Sequence, residues 1–129
     1  MDKVEILILR NLLYNEEYLR KVIPFIKADY YEDSNQRIVF EEIEKFVHEY
    51  NQPATKEVLC IEVEKRQDIN DTTFTEITKL ISYLEDVPTD YEWLCDTTEK
   101  WCRDRAIYLA LMESIALADG KDKDKDRGA

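Results

Sequence analysis

The sequence predicts an all-α domain, and three observations carry that expectation. Both glycines, Gly120 and Gly128, lie in the last ten of 129 positions, so residues 1–119 lack the Asn-Gly and Asp-Gly turns that two-residue hairpins favour. Hydrophobic residues make up 44% of the chain and charged residues 36%, the mixture of a solvated helical domain. Apolar side chains recur at spacings of three and four along most of the length.

The first helix is expected from about Asp2 to Tyr14. Val4, Leu7, Ile8 and Leu12 fall on one side, and Ile6, Leu9 and Leu13 widen the stripe until burial is nearly all-round. Asn15 caps a second helix opened by Glu16 and Glu17, acids that suit the positive end of the helix dipole. Its core side is Tyr18, Leu19, Val22 and Ile23, and Pro24 ends or bends it. Ser34 is the expected cap of a third helix reaching about Tyr50. Phe40, Ile43, Val47 and Tyr50 repeat along it beside Val39 and Phe46, and Glu41, Glu42, Glu44, Lys45 and Glu49 occupy the opposite face. Asn51-Gln52-Pro53 is the break.

Thr55 starts a fourth helix with Val58, Leu59, Ile61 and Val63 as its apolar set. Val58 to Val63 is also rich in strand formers, but the flanking Glu57, Glu64, Lys65 and Arg66 favour helix. Asp71 or Thr72 caps a fifth helix with Phe74, Ile77, Ile81 and Leu84 on one face, closed by Asp86-Val87-Pro88. Thr89 or Asp90 opens the sixth and longest, from Tyr91 to about Asp119, which at the usual rise measures about 43 Å. Leu94, Trp101, Tyr108 and Ile115 recur at sevens beside a row of Tyr91, Thr98, Arg105 and Met112. Its outer half is expected to extend beyond the globular part with apolar surface exposed. The candidate protein interface is therefore Tyr91, Trp101, Arg105, Tyr108, Leu109, Met112 and Ile115. Residues 120–129, in which acids and bases alternate, are expected to be a charged linker or a turn, leaving 1–119 as the domain.

The chain carries 29 acids against 18 bases, a net −11. From Asp119 to Arg127 the charges cancel, whereas Ala28 to Glu64 holds ten acids and three bases, Arg37, Lys45 and Lys56. Such a surface repels phosphate backbones, so direct nucleic-acid binding by this domain is disfavoured. A basic protein partner suits it better, with Glu41, Glu42, Glu44 and Glu49 as a candidate acidic docking face. The plainer reading is that the acids keep the protein soluble.

Catalytic chemistry finds no foothold. Without glycine before position 120 there is no G-x-G-x-x-G turn and no G-x-x-x-x-G-K-[ST] phosphate loop, so the chain is not expected to hydrolyse ATP by itself. His48 stands alone on an amphipathic helix and reads as a rim or core residue. Cys60, Cys95 and Cys102 form no C-x-x-C pair, and Cys95 and Cys102, seven apart, read as small hydrophobes. Asp122, Asp124 and Asp126 alternate with lysines but lack the glycine and terminal Glu of a calcium loop. No cofactor and no metal are expected. The apolar run ending at Leu9 is too short for a signal peptide or a membrane span, and a reducing cytoplasmic setting fits the unpaired cysteines.

The order of residues resembles a known family. Val4-Glu5-Ile6-Leu7-Ile8, then Tyr18-Leu19 to Val22-Ile23-Pro24-Phe25, Tyr30-Tyr31 before a helix with Phe40, Ile43 and His48-Glu49-Tyr50, then Pro53-Ala54-Thr55 and Thr98-Glu99-Lys100-Trp101 to Arg105-Ala106, is similar to the N-terminal domain of DnaB-type replicative DNA helicases. The likeness covers about residues 4 to 112. It implies a helical collar module followed by a helical hairpin, of which the sixth helix would be the first arm. It further implies self-assembly into a hexamer, docking of primase and a helicase loader, and contact with DNA only through the parent ring. ATP and Mg would belong to a motor domain downstream of Ala129. The competing expectation is a free-standing acidic adaptor or nucleic-acid mimic.

Overall fold

A computed structural model describes the backbone of residues 3–128 and the side chains of 3–119. The fold is all-α, and no strand occurs among the described residues. In chain order the helices are α1 Lys3–Tyr14, α2 Glu16–Val22, α3 Ser34–Tyr50, α4 Lys56–Glu64, α5 Asp71–Ser82 and α6 Tyr91–Gly128. Two short 3-10 turns, Ile23–Phe25 and Ala28–Tyr30, join α2 to α3, the first beginning where Pro24 interrupts α2.

The starts of the helices follow side-chain capping. Asn15 accepts from the Tyr18 amide at 3.0 Å, and Thr55 from the Val58 amide at 3.2 Å, as the sequence predicts. Elsewhere the cap differs from the expected residue. Asp33, not Ser34, caps α3 through Asn35 and Gln36, because its carboxylate reaches two free amides at once. Asn70, not Asp71 or Thr72, caps α5 through Thr73 at 2.8 Å. At α6 the cap is Asp90, one of the two residues expected there, which accepts from the Trp93 amide at 2.9 Å. At the end of α3 Asn51 takes the left-handed conformation, φ 54° and ψ 38°, a position glycine usually fills. Arg20 clamps that turn, donating to the Asn51 side chain at 2.9 Å and to its carbonyl at 3.0 Å.

α3 is the hub, packing against α1, α4, α5 and the Ala28–Tyr30 turn, while α6 lies on α1, α2 and that same turn. Leu9 and Leu12 of α1, Tyr18 and Leu19 of α2, Val39, Phe40 and Ile43 of α3, and Ile77 and Ile81 of α5 meet in one buried core. Each such side chain contributes about 1.5–3 kcal/mol by leaving water. Two expectations are corrected. Only Leu59 and Val63 of the α4 apolar set are buried, and Ile61 is 53% exposed, because a helix of nine residues turns one narrow stripe to the core. The backbone of α6 continues as helix to Gly128, past the expected helix end near Asp119. A single interior glycine costs a helix about 1 kcal/mol, too little by itself to end one.

Candidate protein-interaction surfaces

The body holds α6 by one stripe. Leu94 is fully buried and Thr98 nearly so, with Trp101 and Arg105 continuing the row. Thr98 donates its hydroxyl hydrogen to the Leu94 carbonyl at 2.7 Å, so the buried Tyr18 hydroxyl is the donor in its 2.6 Å bond to Thr98 Oγ1. Burial raises the Tyr18 and Tyr31 phenols above the usual tyrosine range and pushes the Cys102 thiol up to about 11. The Trp101 ring stands edge-on to Tyr30, centroids 5.9 Å apart, and leans on Tyr31 at 5.0 Å. Its Nε1 donates to Glu5 Oε1 at 3.4 Å. Arg105 donates from Nε to the Tyr30 carbonyl, pairs with Glu32 at 3.4 Å, and sits 5.0 Å from the centre of the Tyr108 ring.

The candidate interface therefore divides. Tyr91, half-buried beneath the Lys21 ammonium, Trp101 and Arg105 belong to the joint between helix and body. Tyr108, Met112 and Ile115 are exposed and Leu109 is half-buried. Ile107, Leu111 and Leu117, which the heptad rows passed over, are also more than half exposed. From Ile107 to Asp119 the helix thus carries apolar side chains around its circumference, with Glu113 and Asp119 as its charges. Exposed apolar surface of this kind marks association sites.

The acidic face also divides. Glu42 is only 4% exposed and accepts from Arg66 Nη1 at 2.7 Å; Arg66 reaches Glu41 at 3.3 Å and Asp68 at 2.7 Å as well. Those contacts raise the Arg66 guanidinium and lower the Asp68 carboxyl. Lys45 adds bonds to Glu42 and Glu62. Glu42, and Glu41 in part, thus fasten α4 and its following loop to α3 and are withdrawn from any docking face. Glu44 and Glu49 remain exposed, and partial burial beside Glu41 raises the Glu44 carboxyl. The sequence signal for this cluster is weak, since Arg66 stands 24 positions from Glu42.

Two grooves flank the body. One, of about 490 Å³, runs along α6 past Phe25, Cys95, Cys102 and Ala106; the other, of about 570 Å³, lies between α1 and α5. His48 is exposed, and among the described residues no group of His, Cys, Asp or Glu is placed to hold a metal. No helix there is long and apolar enough to cross a membrane.

The architecture is that of a helical body with a projecting, apolar arm. No family model matches the chain. It is 30% identical over 111 residues to the DnaB-like replicative helicase of Enterobacteria phage T4, an alignment covering 86% of this chain and 23% of that protein. The chain thus spans about a quarter of the length of the curated relative it matches, and over most of its own length it is related to a DNA-replication helicase.

Proposed function

We propose that residues 1–119 are an N-terminal collar-type domain of a hexameric, ATP-dependent replicative DNA helicase, a non-catalytic module that supports ring assembly and docks primase and a helicase loader. The observation that carries this reading is the largely exposed apolar segment from Ile107 to Asp119, on a chain whose likeness to a replicative helicase takes in 86% of its residues but 23% of the relative. A projecting helix so apolar needs a cover, and a neighbouring subunit or a following helical arm supplies one. On this reading residues 120–129 lead toward the rest of the protein, ATP and Mg act in a separate motor domain, DNA is met through the assembled ring, and the setting is the cytoplasm. The exposed Glu44 and Glu49 support attraction of a basic partner.

Sedimentation velocity tests the assembly role. The chain is expected to self-associate at high concentration, and Leu111→Glu with Ile115→Glu to return it to monomer with its helical circular dichroism intact. A parental chain that stays monomeric throughout, in a reading frame that stops without reaching a G-x-x-x-x-G-K-[ST] segment, would overturn the proposal.

A further inference from the structure

We propose that the groove between α1 and α5 is a docking site for an amphipathic helix of a partner protein, one that carries carboxylates beside its apolar stripe. α1 contributes Lys3, Ile6, Leu7 and Arg10, and α5 contributes Glu76, Lys79 and Leu80, with Tyr83 following at its C-cap. On both helices these positions repeat at threes and fours, so each presents one stripe along the cleft. The two helices both rest on α3 and are tied at one end by Tyr14, whose hydroxyl donates to the Leu84 carbonyl at 2.7 Å. The result is an apolar trough of about 570 Å³ with Tyr83, 67% exposed, standing at its edge. Apolar grooves between helices take the hydrophobic face of a third helix, and an exposed aromatic is a common anchor.

Charge selects the occupant. In a chain of net −11, this groove is edged by three cations and one acid. Lys3, Arg10 and Lys79 make no ion pair among the described residues; Lys21, Lys27, Arg37, Lys100 and Arg103 make none either, so what distinguishes the three is their convergence on one apolar groove. The Arg10 guanidinium is under-satisfied: its Nη2 reaches the Tyr83 carbonyl only at 3.5 Å, and its Nε is buried without a hydrogen-bond partner. A carboxylate arriving at the rim would meet three cations that have no acidic partner among the described residues. Duplex nucleic acid fits less well, because the floor is apolar and the surrounding surface repels phosphate.

The test uses fluorescence anisotropy with the full chain and a short labelled helical peptide carrying leucines on one face and glutamates on both flanks. The same peptide with lysines for glutamates and a DNA duplex serve as controls. Binding of the acidic peptide is expected, weakening with salt and dropping about tenfold or more in Lys3→Glu/Lys79→Glu and in Tyr83→Ala. All three side chains are exposed, so these variants are expected to keep the parental circular dichroism. Equal or tighter binding of the lysine peptide or of the duplex would overturn the proposal. So would failure of the acidic peptide to bind, or self-association of the chain that Tyr83→Ala abolishes, which would make the groove an interface between copies. Loss of assembly in the Leu111→Glu/Ile115→Glu variant with peptide binding retained separates this groove from the arm.

Discussion

Arg105 donates its Nε hydrogen to the backbone carbonyl of Tyr30, 75 residues earlier, and so fastens the last buried turn of α6 to the turn between α2 and α3. A guanidinium suits this place, since one nitrogen satisfies the carbonyl while another reaches Glu32 and the plane lies near the Tyr108 ring. Arg105→Ala is expected to cost about 1–2 kcal/mol, because it leaves a partly buried carbonyl without its charged donor. Arg105→Lys should recover only part, as an ammonium cannot fork. Urea unfolding gives the stability change, and hydrogen exchange along α6 shows whether protection falls first near the joint.

Glu42 and Glu44 sit two positions apart on α3 in opposite circumstances. Glu42→Ala leaves Arg66, itself 18% exposed at the side chain, with a weakened carboxylate cage, and an expected loss of about 1–3 kcal/mol. Glu44→Ala and Glu49→Ala, on exposed positions, should change stability by no more than about 0.5 kcal/mol. Chemical denaturation of the three variants checks the contrast; equal effects would mean that the Arg66 cluster contributes nothing to holding α4.

Alkali is expected to destabilise the fold. Tyr18, Tyr31 and Cys102 all hold their protons more tightly when folded, because burial disfavours the anions. A group whose pKa is raised by folding contributes its full stability below its unfolded value and loses it as pH climbs through the folded one. For Cys102 that window runs from about 8.5, the free thiol value, to about 11. Stability measured by urea midpoint should therefore fall across this range, and Cys102→Ala should flatten part of the slope. Iodoacetamide is expected to reach Cys102 slowly at mildly alkaline pH, and unfolding in urea should abolish that delay.

The helices were legible because their signals are local. The apolar stripe of α1, the Asn15 and Thr55 caps and the Pro24 break all act within a few residues of where they are written. Relations across the chain were not legible. The row Leu94, Trp101, Tyr108, Ile115 treats its members alike, yet the first is buried, the second packed against Tyr30 and Tyr31, and the last two exposed. What separates them is the height of the body beside α6, which depends on where α1 and α2 stop. Glu42 looked like its neighbours for the same reason: Arg66 reaches it only after α4 has folded back on α3.

The joint at Arg105 makes the outer part of α6 mechanically a lever. Past Leu109, which still packs against the core, the helix runs about 15 Å to Asp119, so a tilt of about 10° at the fulcrum would carry its far end through about 3 Å. Small adjustments in the packing of Trp101 against Tyr30 and Tyr31 are therefore magnified along the arm. The stiffness of one aromatic cluster sets how widely the apolar tip can search for whatever covers it.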